Sequence, residues 1–378
     1  MKVAARIKLV AGSLIASLAI GAHAADDLVV GQVAPLSGVL ADTGKDMVVG
    51  VKVYIDHVNA QGGINGRQIR HVVKDDGYQV PETVKLTKEV IDQDGAIALI
   101  GFAGTGNVGE LLKQKVLEQA NIALVAPYTG GEVLRTPFNP YIFHIRAGYA
   151  DEAEGIVNQL IMLNMKRIGV MYQDDPFGKA GLDGVTAALK KRGLEVAAVG
   201  AYEKNTDKVG DAVAAIAKAN PQAVVMISVN KSTAAFSKQI RAASTVSQLV
   251  NISVVNPKEL VRLIGTDGAR GIGVAQVMPY PFSSTLPVVK EYQQAMKKYA
   301  PNTELSYTSF EEFVGAKVLV EGLRRAGNSP TREKVVQALE SLHAYDVGGF
   351  TLRYSPTNRV GSRFVEITVI GRDGRLLR

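Results

Sequence analysis

The stretch LVVGQVAPLSGVLADTGKDMVVGVKVYIDHVNAQGGINGRQIRHVVK, residues 28–74, decides how the chain is built. Leu28–Val33 is a short apolar run of strand character. Met47, Val48, Val51, Ile55 and Val58 recur at helical spacing, and Gln61-Gly62-Gly63 supplies a stop. Asn65-Gly66 then turns the chain into a second strand, Gln68–Lys74. Strands joined through a helix run parallel, with a right-handed crossover.

Outward from this unit the alternation continues. Helix near Pro81–Gln93, strand Ile97–Gly101, helix Val108–Glu118 and strand Ile122–Ala126 complete one α/β series. A second series restarts with strand Arg167–Met171, helix Lys179–Arg192, strand Leu194–Val199 and helix Asp207–Ala219. It goes on through strand Ala223–Ser228, helix Ser232–Ala243 and strands Leu249–Val255 and Gly271–Val277. Helices Pro287–Tyr299, Ser309–Ala326 and Arg332–Leu342 follow. Two last strands, Gly349–Tyr354 and Phe364–Ile370, are joined by a Pro-Thr-Asn turn. The halves divide near Arg146 and again near Gln276. Open parallel sheets take ligands at the carboxyl ends of their strands, so two such lobes facing each other predict a cleft that closes about a hinge.

Composition removes several classes of function. The 378 residues include no Cys, which excludes disulfide scaffolds, thiolate metal sites and thiol nucleophiles. Net charge is +7, but Lys2, Arg6 and Lys8 carry three of those positives, and the remaining surplus is too small and dispersed for a nucleic-acid binder. Those three residues form a basic head before the apolar run Leu9–Ile20 and the small-x-small end Ala22-His23-Ala24. The pattern reads as a secretory signal peptide, residues 1–24, cleaved after Ala24 and directing the chain to the periplasm.

The strings Val33-Ala34-Pro35-Leu36-Ser37-Gly38, Gln61-Gly62-Gly63-Ile64-Asn65-Gly66-Arg67 and Asp75-Asp76 with Pro81 recur in order with Ile100-Gly101, Ala126-Pro127 and Asp174-Asp175-Pro176-Phe177-Gly178, and then Gly265 with Gly271. Together they resemble the branched-chain amino-acid (Leu/Ile/Val)-binding family, the periplasmic substrate-binding receptors of ABC importers. The resemblance implies a type I periplasmic-binding-protein fold: two Rossmann-like lobes joined by a three-stranded hinge. It would place residues 25–145 and 279–347 in lobe 1 and residues 146–278 and 348–378 in lobe 2, the third crossing lying near Gly348. It also implies a monomer that takes a small-molecule ligand, an amino acid or related organic acid, and hands it to an inner-membrane permease without catalysis, cofactor or metal. A ligand sensor of the same fold is the alternative.

Gly104-Thr105-Gly106-Asn107-Val108-Gly109 matches the G-x-G-x-x-G dinucleotide fingerprint. It stands in the third strand unit, however, and no acid closes the next strand. What remains is a helix N-terminus suited to an anion. By resemblance, Thr105 and Gly106 would hold a ligand carboxylate, Thr129 and Gly130 would add hydrogen bonds, and Tyr128 would wall the pocket. Phe177 stands where relatives commonly have Tyr and keeps the stacking face. Asp174 and Asp175 read either as ligand groups or as caps of the next helix. Near Ser253 the family's amino-acid receptors carry an acid that pairs with the ligand's ammonium. Ser253 has no such charge, so either Asp151 or Asp175 substitutes, or the ligand lacks an amine. Asn230 and Asn256 offer neutral hydrogen bonds. At the crossings, Arg146 and Tyr149, and then Gln276, can reach the cleft, Arg146 as a carboxylate partner or as a hinge residue.

Overall fold

A computed structural model describes residues 27–243 and 247–378. The expected signal peptide lies outside the described residues. The first series forms β1 (Leu28–Ala34), α1 (Ala41–Asn59), β2 (Ile69–Asp75), α2 (Val80–Asp92), β3 (Ala98–Ile100), α3 (Thr105–Lys113), α4 (Val116–Ala120), β4 (Leu124–Val125) and β5 (Ile142–Phe143). Its five strands are all parallel, in the order β2-β1-β3-β4-β5. The single helix expected over Val108–Glu118 is two helices, because Lys115 adopts a left-handed backbone (φ 55°).

The second series comprises α5 (Tyr149–Met162), β6 (Ile168–Gln173), α6 (Pro176–Lys190), β7 (Ala198–Tyr202), α7 (Gly210–Ala219), β8 (Ala223–Ile227), α8 (Asn230–Ala242), β9 (Gln248–Asn251), α9 (Pro257–Ala269) and β10 (Gly273–Gln276). Helices α5 and α9 were not among the sequence expectations. Then come α10 (Pro287–Tyr299), α11 (Tyr307–Arg325), α12 (Arg332–Glu340), β11 (Tyr345–Asp346), β12 (Thr351–Leu352), β13 (Glu366–Ile370) and β14 (Leu376–Leu377). The second sheet runs β14-β13-β10-β9-β8-β6-β7. Its parallel part repeats the first sheet's order, second strand outside the first and the third on the other side. Each sheet therefore has one switch point, between β1 and β3 and between β6 and β8.

The closing segment departs from expectation. Gly349–Tyr354 and Phe364–Ile370 do not form a hairpin: β12 pairs with β11, and β13 runs antiparallel to β10 and β14. Val347, Phe350, Leu352 and Tyr354 pack in the core of the first lobe, so the chain stays with that lobe past Gly348 and joins the second sheet at Glu366. Helices α10–α12 pack in this first core with α1. There, Tyr54 meets Phe313 edge-on at 5.0 Å, and α1 approaches α11 so closely that a Cβ on Gly50 would lie 2.2 Å from the Ser309 carbonyl oxygen. Among the described residues no helix is long and apolar enough to cross a membrane.

Candidate functional site

A narrow cavity of about 10 Å³ lies between the lobes, lined by Leu40, Tyr78, Gly104, Tyr128, Tyr149, Phe177, Val229 and Val254. Each of the eight follows the carboxyl end of a different strand: β1 to β5 from one lobe and the crossing, β6, β8 and β9 from the other. The topology predicts a site at this place. The walls are apolar and aromatic. Tyr149 meets Phe177 edge-on at 5.5 Å, and every lining aromatic is at most 4% exposed, so the lobes are closed over the cavity.

Beside the cavity lies a polar cluster of the first lobe, whose residues are not among those lining it. Thr105 opens α3 after Gly104, whose φ of 97° suits glycine, and its hydroxyl is 2.7 Å from that of Thr129. The two glycines after Thr129 are required by close approach. A Cβ on Gly131 would fall 2.4 Å from Thr105 Cγ2, and one on Gly130 would fall 2.6 Å from the Tyr149 ring. Gly106 faces Pro176 of the other lobe across 3.5 Å, measured from where its Cβ would be. The free N–H groups of the first turn of α3 and the paired hydroxyls together make an anion-accepting corner.

Ser253 sits in a different setting. Its N–H and hydroxyl both donate to Glu152, at 2.7 and 2.9 Å. Arg146, fully buried, contacts the Ser253 hydroxyl and lies between Glu152 (3.3 Å) and Glu311 (3.4 Å). It is not a free carboxylate partner, since two of the protein's own acids hold it. Burial works against the charged guanidinium, but Glu311 and Glu152 outweigh it and keep Arg146 protonated. Burial pushes Glu311 up to about 7, against the pull of Arg146. Glu312, with both carboxyl oxygens lacking a hydrogen-bond partner among the described residues, is driven well above the usual carboxylate range by burial and then by Glu311. Arg146 also lies on the face of Tyr128, 5.0 Å from the ring centroid.

The other named candidates divide. Tyr128, Tyr149 and Phe177 line the cavity, whereas Thr105, Gly106, Thr129 and Gly130 are neighbours in the chain of the lining residues Gly104 and Tyr128 without lining it themselves. Asn230 opens α8 next to the lining residue Val229, with its side-chain oxygen accepting from the Asn256 N–H at 2.9 Å. Gln276 is turned into the second sheet, donating to Thr368 at 3.2 Å. Neither proposed substitute acid is unoccupied. Asp151 accepts from Arg363 (3.0 Å) and from the Gly148 N–H (3.1 Å). Asp175 caps α6 through the Gly178 N–H (3.1 Å) and takes Gln173 at 2.9 Å, while Asp174 pairs with Lys179. Leu40, Tyr78, Gly104, Val229 and Val254 were not expected as lining residues. Their shared signal is position in the segment that follows a strand's carboxyl end. Among the described residues no cluster of three or more His, Asp or Glu is placed to hold a metal.

Residues 27–375 match the family described as periplasmic binding protein. A substrate-binding periplasmic protein from Ralstonia solanacearum superposes with a TM-score of 0.89 at 38% identity, covering 93% of this chain and 99% of that one. An extracellular ligand-binding receptor from Verminephrobacter eiseniae superposes with a TM-score of 0.84 at 31% identity, covering 93% and 100%. The Leu/Ile/Val-binding protein homolog 3 of Brucella melitensis is 22% identical over 354 residues, 93% of this chain and 94% of its own.

Proposed function

The chain belongs to the periplasmic binding protein family, and from that premise we propose that it is the extracytoplasmic receptor of an ABC importer, binding a small carboxylate without an amine. The observation that carries the reading is the closed inter-lobe cavity whose eight lining residues all follow strand ends. A carboxylate would sit at the α3 N-terminus near the Thr105 and Thr129 hydroxyls, and an aliphatic or aromatic body would lie among Leu40, Tyr78, Tyr128, Tyr149 and Phe177, the lobes parting from the narrow closed cavity to admit it.

The missing amine follows from charge. An ammonium buried without a counter-charge costs several kcal/mol. The acid at the Ser253 position is Glu152, and Arg146 already balances it, while Asp151 and Asp175 are bound elsewhere. The Brucella relative's name points instead toward leucine, isoleucine or valine, so those ligands form the contrasting arm of the test. The permease would read the closed form, and the same closure would serve a sensor. No reaction is part of this function.

The test is a thermal-shift screen of ligand-free protein, beginning at Ala25, against amino acids, aliphatic acids and aromatic acids. A ligand at ~100 times its Kd adds about 2.7 kcal/mol, a shift of several degrees. Shifts confined to amine-free acids are expected. A shift with leucine or valine would overturn the amine-free assignment, and no shift with any acid would overturn the carboxylate.

A further inference from the structure

Lys204, just past β7 in the second lobe, reaches across the cleft. Its ammonium donates to the Asn107 side-chain oxygen at 2.9 Å and stands 3.9 Å from the Tyr78 ring centroid, both in the first lobe. On its own lobe it has Asp175 at 3.8 Å. Its side chain is 18% exposed, and it is not among the eight residues lining the cavity.

Both receiving surfaces are ordered in advance. On the first lobe, the Asn107 amide donates to Thr83 (2.8 Å), and the Thr83 hydroxyl donates to Asp76 (2.5 Å). This chain fixes the amide with its oxygen turned toward Lys204. On the second lobe, the cap bond and Gln173 hold Asp175 in place, and Gln173 also reaches the Tyr78 hydroxyl at 3.4 Å. In an open molecule the ammonium would keep only Asp175 and water. On closure it gains a charge-assisted hydrogen bond and an aromatic face in a largely dehydrated place. A cross-lobe ion pair, Lys258–Glu304 at 3.6 Å, is more exposed on both sides and contributes less.

We propose that Lys204 is the clasp of the closed state: a positioning residue that sets the closed-to-open ratio, and with it the affinity for any ligand, without touching the ligand. The clasp rests on the reading that the protein works by closing, and it adds a regulation of that same site. Tyr78 forms a cavity wall and Asn107 belongs to the first turn of α3, so the clasp also steadies the two lobe-1 elements nearest a bound anion.

The test uses ligand-free protein and needs no ligand identity. The chain has no native cysteine, so Lys85→Cys in α2 and Asp211→Cys in α7, both exposed, accept spin labels specifically, and their distance distribution reports the lobes. In Lys204→Met, which keeps most of the stem and loses the charge, the closed-to-open ratio is expected to fall about tenfold. Asn107→Ala, on the opposite lobe, should lower it as well, and still reports if the lysine variant fails to fold. The double variant should lose little more than Lys204→Met alone, since both remove one interaction. A ratio unchanged in the single variants, or losses that simply add, overturns the clasp. Failure here is distinct from failure of the ligand assignment, because the distances are read without ligand and the thermal screen is read without labels.

Discussion

Arg146 is held in place by groups it also neutralises. With Glu152 on α5 and Glu311 on α11, it ties the first crossing to both lobes, and the Ser253 loop is tied to the same carboxylate. Replacing it with methionine leaves two buried acids without their counter-charge. Arg146→Met is therefore expected to lose about 3–5 kcal/mol of stability, read from urea unfolding. At this scale the sequence was legible where chemistry is local, as for Asp175, three residues before the N–H it caps. It was not legible where pairing is distant. Glu152 meets Ser253 across 101 positions, and nothing near either residue announces the other. The absent acid at Ser253 is thus met by a carboxylate from a helix, which only the fold brings there.

Among the elements, the α1–α11 crossing has the least tolerance. An alanine at position 50 would improve intrinsic helix propensity by up to about 1 kcal/mol, yet its Cβ would meet the Ser309 carbonyl at 2.2 Å. Gly50→Ala is accordingly expected to lower the urea midpoint, at a net cost of about 1–3 kcal/mol, as the helices are forced apart. Most helices and strands were legible from period and turn residues. Two helices were not, for physical reasons. Helix α5 buries Glu152 within its apolar stripe of Ala153, Ile156, Val157 and Leu160, which breaks the periodic signal. Helix α9 is interrupted at Gly265 (φ 73°), so no run of it is long enough to stand out. The last strands do not pair with each other, because β13 finds its partner in β10, some ninety residues back, rather than in its neighbour.

For the molecule as a whole, acid should weaken the fold through histidines that the fold holds neutral. Burial lowers His71 from 6.5 to about 4, with Lys52 adding to the effect, and its Nε2 lies 2.9 Å from the Gln32 side-chain oxygen. A depressed folded-state value means that this contribution is present above pH 6.5 and is lost as pH falls toward 4. Native protein is expected to lose about 2–3 kcal/mol relative to His71→Gln across that window, measured by urea unfolding at each pH. An equal pH dependence in the two proteins would remove His71 as the cause. The order of the chain has a further consequence, in time rather than space. Lobe 1 needs α11, which ends at Arg325, and lobe 2 needs β13, which ends at Ile370. A chain delivered N-terminus first can therefore complete neither core until almost all of it has arrived. Every residue lining the cleft, up to Val254, waits on partners still to come, so transit across a barrier and folding fall naturally into sequence.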